Sequence, residues 1–166
     1  VIRETVASLS VRLAHLESRD AAQATMNRYM DLCDVPREAF TWEDLAELFA
    51  VDAVWEGVGP EYTGKFGRLE GRDSILAMLT QYLPPSPHFK RNLHLLGSGQ
   101  ITTGQIAPTG RWMMQQLSEY ESGRTELIGA RLTVDFEISK GAAVITHFRT
   151  EKVFATDLST AASNAS

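Results

Sequence analysis

Cysteine is nearly missing from this 166-residue chain, with Cys33 the single example. One thiol excludes an intrachain disulfide framework and a multi-cysteine zinc site. Long apolar runs are missing too. No stretch of about 18 apolar residues occurs, so no transmembrane helix is expected. Arg3, Glu4, Arg12 and Glu17 interrupt the apolar pattern at the start, which is wrong for a signal peptide. Basic charge is scarce: 16 Lys and Arg against 21 Asp and Glu give a net charge of −5. Phosphate binding normally shows a basic stripe, so nucleic acid is not expected as a partner. The common catalytic signatures are absent as well. There is no H-E-x-x-H, no Walker A loop and no G-x-S-x-G elbow, and Gly97-Ser98-Gly99 lacks the third glycine and the helix of a dinucleotide fingerprint. Hydride transfer, nucleotide hydrolysis and serine acyl transfer therefore have no signature, and no spacing supports a metal site. A cytoplasmic protein that touches neither membrane nor nucleic acid is the expectation.

What is present is an ordinary globular balance, with 43% apolar and 22% charged residues. The length fits one domain, expected over 1–154, with a small polar flexible tail at 155–166. Leu9, Leu13 and Leu16 fall at helical spacing, and Ser18 is placed to cap a second helix running to Cys33. Pro36 ends it. Thr41-Trp42-Glu43-Asp44 reads as a capping box opening a short helix. Ala53 to Val58 reads as a strand, and Arg72 to Leu83 as another helix stopped by Pro84-Pro85. From His88 onward the pattern is strand: His88–Leu96, Gly110–Glu121, Leu127–Ser139 and Ala142–Phe154. Alternation is clear from Ile128 to Ile138, with Ala130, Leu132, Val134 and Phe136 on one face. Helices around one strand, then four long antiparallel strands, predict an α+β fold.

Few residues here invite chemistry. Asp34 stands where an apolar helix gives out, at the lip of the interior, where a carboxylate either makes a turn or fixes a histidine tautomer. Tyr29 lies five residues earlier, about 140° around the helix. His88 begins a strand and shares a face with Asn92 under strict alternation. Arg149 in the last strand needs an acidic partner, either internal (Glu151, Asp135 or Glu137) or a bound oxyanion. His15, His94 and His147 are read as structural.

The order of these pieces resembles the SnoaL-like branch of the nuclear transport factor 2-like superfamily. The landmarks are Arg19-Asp20-Ala21-Ala22 through Asp34, Asp52-Ala53-Val54-Trp55, Gly71-Arg72-Asp73-Ser74-Ile75, and His88-Phe89-Lys90-Arg91-Asn92. The resemblance spans about residues 8–154. It implies a cone: a curved, mostly antiparallel sheet wrapped around three helices, with a deep apolar pocket. The sequence is most similar to that branch's cofactor-free lyases, which include hexachlorocyclohexane dehydrochlorinase, bile-acid 7α-dehydratase and scytalone dehydratase. By that resemblance Asp34 and His88 would form an Asp–His dyad, with Arg149 and Tyr29 assisting. Met26, Met30, Leu48, Phe49, Trp55, Asn92, Trp112, Met114 and Phe136 would line the pocket. The implied activity is dehydratase-type elimination on a hydrophobic small molecule, flat or polycyclic, using neither metal nor organic cofactor. An isomerase moving a proton on a steroid- or polyketide-like ketone, or a non-catalytic binding module, are the alternatives. Assembly as a homodimer or homotrimer is implied as well.

Overall fold

The computed structural model describes residues 5–36, 41–64, 67–104 and 107–159. The chain opens with one helix rather than two: α1 spans Val6–Cys33, with the Thr5 side chain accepting the Ser8 N–H at its start. The Ser18 hydroxyl donates back to the Ala14 carbonyl at 2.8 Å. Bonded to the preceding turn, it starts no second helix. Only the C-terminal half of α1 is buried, through Ala22, Met26, Tyr29, Met30 and Cys33. The stripe of Leu9, Leu13 and Leu16 stays 48–55% exposed.

The short helix α2 (Trp42–Ala46) forms behind the expected capping box, with Thr41 and Asp44 bonding reciprocally. Strand β1 (Phe49–Val58) starts four residues before Ala53. A single 3₁₀ turn (Pro60–Tyr62), the three-residue β2 (Arg68–Glu70) and α3 (Arg72–Leu79) follow. α3 stops before Leu83, and the chain continues as turns to His88. Four long strands complete the fold: β3 (Phe89–Thr103), β4 (Pro108–Tyr120), β5 (Thr125–Ser139) and β6 (Ala142–Asp157). The last runs three residues past 154, and residues 160–166 of the expected tail lie outside the described residues.

The six strands make one open, curved sheet in the order β2-β1-β6-β5-β4-β3. Every pairing is antiparallel except β1 with β6. The α+β expectation holds, with α1 packed across the inner face of the sheet. Leu132, Val134 and Phe136 point inward from β5, as the alternation predicts, and meet Met26, Phe49 and Ile145. Each such large apolar side chain contributes roughly 1.5–3 kcal/mol when fully buried. Trp112 shows how tightly this end closes, because its indole lies across the backbones of Gly99 and Gly110. A Cβ on either would come within 2.3 Å and 2.0 Å of that ring.

Bulges break the strict alternation on which the candidate residues were placed, three of them in the parts of β3 and β6 near those residues. In β3, Phe89 pairs with Tyr120 and Arg91 with Glu119, so Lys90 is an extra residue. In β6, Ile145 pairs with Phe136 and His147 with Asp135, which makes Thr146 extra; a second bulge falls at Val153. Each extra residue exchanges the two faces for everything beyond it.

Candidate functional site

Asp34 caps the end of α1, and its position is fixed by a short bridge to β3. The N–H groups of Val35 and Asn92 each donate to the other's carbonyl at 2.8 Å. This bridge brings the carboxylate to the third inward position of β3. One oxygen, Oδ1, accepts the backbone N–H of His94 at 2.8 Å and the ring Nδ1 of the same residue at 2.9 Å. A carboxylate oxygen only accepts, so Nδ1 carries the proton. Among the described residues the other ring nitrogen, Nε2, has no hydrogen-bond partner, and the ring belongs to the wall of a pocket.

Asp34 therefore has a histidine partner, but it is His94 and not His88. The Lys90 bulge is the reason. Phe89, Asn92 and His94 all line the pocket, so the interval between Phe89 and Asn92 is three residues instead of two or four. His88 falls outside this wall, in an aromatic nest of Tyr82, Phe89 and Tyr120. Burial, with the nearby Arg124 charge, lowers its pKa below the ordinary 6.5.

Arg149 does not reach the pocket either. Beyond the Thr146 bulge, Phe148, Thr150 and Lys152 face inward and Arg149 faces out. There its guanidinium donates to Asp135 at 2.7 Å and to His147 Nδ1 at 2.7 Å, while His147 Nε2 lies 3.0 Å from Glu56. Asp135 is one of the internal partners the sequence offered.

The pocket encloses about 230 Å³. Its deep wall is aromatic: Tyr29 meets Phe148 edge-on at 5.2 Å, and Trp55 stacks on Phe148 at 6.0 Å. Tyr62 closes one side by lying on the bare backbone of Gly57, where a Cβ would come within 2.4 Å of its ring. Met78 and Leu79 of α3, with Tyr82 and Leu83 from the turns after it, form one side, and Met114, Ala130 and Leu132 the sheet side. Of the residues assigned to a pocket by the resemblance, Tyr29, Met30, Trp55, Asn92 and Met114 line this cavity. Met26, Leu48, Phe49, Trp112 and Phe136 do not; they pack into the closed core beyond it.

Burial pushes the Tyr29 phenol well above its usual pKa; the Cys33 thiol beside it adds to the rise, and the Trp55 indole N–H opposes it. The phenol thus stays protonated and able to donate. Beside the Asp34–His94 contact, Asn92 is buried and hydrogen-bonded at both ends of its amide. Its Oδ1 accepts from Ser118 at 2.8 Å and from Gln116 at 3.0 Å, and its Nδ2 donates to the Cys33 carbonyl at 3.4 Å. This network ties β3, β4 and the end of α1 into one rigid frame around His94. Among the described residues, no group of three or more His, Cys, Asp or Glu is arranged to hold a metal ion. No described helix is long and apolar enough to cross a membrane.

The SnoaL-like domain model matches residues 14–149. The chain belongs to the SnoaL-like family. Its fold is shared with several solved structures. A hexachlorocyclohexane dehydrochlorinase of type 3 from Novosphingobium barchaimii is 18% identical, with 87% of this chain and 92% of that one covered and a TM-score of 0.70. A structure described as a putative scytalone dehydratase from Novosphingobium aromaticivorans is 18% identical, covers 86% and 88%, and has a TM-score of 0.71. A nuclear transport factor 2-like protein with a cystatin-like fold from the same species is 21% identical over 98% and 97% of the two chains, with a TM-score of 0.65. No curated protein matches in sequence. At these identities the likeness is one of fold, which for a SnoaL-like chain is the cone with its pocket.

The signal that could have singled out His94 was in the sequence. In Asn92-Leu93-His94-Leu95 the polar residues face in and the leucines face out, half exposed. That inverts the usual core strand. Phe148 carried a similar signal, three residues after the buried Ile145, an interval only a bulge accommodates.

Proposed function

We propose that this SnoaL-like protein is a cofactor-independent lyase that eliminates a group from an apolar small molecule, with His94 as the base. The observation that carries the reading is the Asp34–His94 contact at 2.9 Å, with the ring in the wall of an apolar pocket. His94 Nε2 takes a proton from carbon. The electrons of that C–H bond form the new double bond, and the leaving group departs with its own bonding pair. Asp34 holds the tautomer and stabilises the imidazolium that forms. Tyr29, in the same pocket wall, donates a hydrogen bond to the departing group. A positioned base of this kind contributes typically 10²–10⁴-fold.

An apolar cavity of about 150 Å³ holds benzene. The 230 Å³ here suits one or two rings, with larger skeletons extending past the mouth. The fold shared with a dehydrochlorinase and a dehydratase-like protein makes halide and hydroxyl the first leaving groups to try. The test is turnover of a panel of cyclic β-halo and β-hydroxy compounds, followed by alkene absorbance. The expected result is turnover that falls at least about 100-fold in kcat for His94→Gln and for Asp34→Asn, with KM little changed. Unchanged kcat in both variants would end the proposal.

Assembly with further copies of the chain is part of the same reading. Leu93, Leu95, Met113 and Leu117 project from the outer face of β3 and β4, each 40–50% exposed. Light scattering on the purified protein should give a dimer or trimer of the 18.4 kDa chain. A monomer mass would contradict it.

A further inference from the structure

Charge is distributed unevenly around the pocket. Its twenty lining residues include no Asp or Glu, although the chain as a whole carries −5. One permanently charged side chain reaches the wall, and it is Lys152. Several cations elsewhere are matched. Lys90 and Arg91 share Glu119, Arg124 pairs with Glu126, Arg131 with Glu151, and Arg149 with Asp135. Lys152 is half-buried and has no such partner among the described residues. An ammonium on an apolar wall without a counter-charge is costly, and an anion bound beside it offsets that cost.

Its place in the sheet fixes where that anion would lie. Lys152 pairs with Ala130, Ala130 with Met114, and Met114 with Leu96. His94 lies on the same strand as Leu96, one inward position away. The two side chains are thus three strands apart on the inner face, about 14 Å along the curved sheet at about 4.8 Å per strand. Both reach inward, which shortens the gap to roughly the length of one or two fused rings.

We propose that the ligand of this pocket is an apolar carboxylic acid, its carboxylate held by Lys152 and its skeleton running toward His94. The inference rests on reading the pocket as the substrate site. A lone ammonium, with neither a second cation nor a helix N-terminus in the lining, matches a monoanion and not a phosphate dianion. Thr150, one inward position along β6, adds a hydroxyl to the same end of the pocket.

Binding of 2-naphthoic acid and its neutral isostere 2-naphthamide to the full chain tests this by calorimetry at neutral pH. The acid should bind about tenfold more tightly than the amide, and added salt should weaken the acid alone. Lys152→Met keeps the apolar stem and removes the charge. It should erase the preference while the amide's affinity stays within about threefold; Lys152→Arg should keep it. Equal affinities in the native chain, a preference that survives Lys152→Met, or no binding of either compound would overturn the proposal. The same titration with His94→Gln separates the two readings. The acid preference should survive His94→Gln, so a preference kept while the native chain shows no turnover, or while His94→Gln leaves kcat unchanged, counts against the base and leaves Lys152 in place.

Discussion

Asp34 ends α1 through its backbone N–H and holds His94 through one carboxylate oxygen. Because Oδ1 accepts both the main-chain N–H and the ring Nδ1 of His94, moving the strand moves the ring with it. His94 and His88, six residues apart, should respond differently to the same substitution. His88→Gln is expected to leave kcat within about twofold, whereas His94→Gln removes at least about 100-fold. Steady-state kinetics on one substrate decides between them. His88 carries a different prediction. Its pKa is depressed in the folded state by burial and by Arg124, so below about 6.5 the unfolded chain binds the proton more readily. That contribution to stability is present above 6.5 and is lost as the pH falls through the lower folded value. Urea midpoints between neutral and mildly acid pH should therefore fall less steeply in His88→Gln than in the parent. Equal slopes would place the effect elsewhere. Tyr29→Phe keeps the aromatic packing against Phe49 and Phe148 and removes only the hydroxyl. It should lower kcat with little change in KM if the phenol serves the departing group.

Elements explain why some of the site was readable in the sequence and some was not. The capping box at Thr41, the end of α1 at Asp34 and the alternation of β5 are local signals, and local signals survive folding. The inward faces of β3 and β6 depend on Lys90 and Thr146, whose extra position is set by the partner strands. Nothing in their own chemistry marks them. One misplaced parity moved His88 onto the pocket wall, and another moved Arg149. The bridge between Val35 and Asn92 and the Asn92 network hold β3 in this register. Asn92→Leu removes an acceptor that serves Ser118 and Gln116 inside the protein. It should cost about 1–3 kcal/mol of stability, read by chemical denaturation. The Gly57 backbone plays a comparable part for the aromatic wall. Gly57→Ala should push Tyr62 off β1 and open the pocket on that side, to be seen as a shift in tyrosine ring resonances.

At the scale of the whole molecule, the cone itself was the legible part. The helical patterns, one early strand and four late ones predicted the α+β class, and the family resemblance implied the cone, while the three-residue β2 that completes the six-stranded sheet was not among the expected strands. The parallel pairing of β1 with β6 joins the two ends of the fold and was not visible in any local pattern. It matters for function, because it brings Trp55 onto Phe148 and so builds the aromatic end of the pocket. The central claim is that this architecture delivers His94 to the pocket with Nδ1 protonated toward Asp34 and Nε2 free. Long-range ¹H–¹⁵N correlation of the histidine rings, above neutral pH and assigned through His94→Gln, reads that directly. The account predicts a protonated Nδ1 and a bare Nε2 for His94, with the preference weakened in Asp34→Asn. An Nε2-protonated ring in the native chain would contradict it.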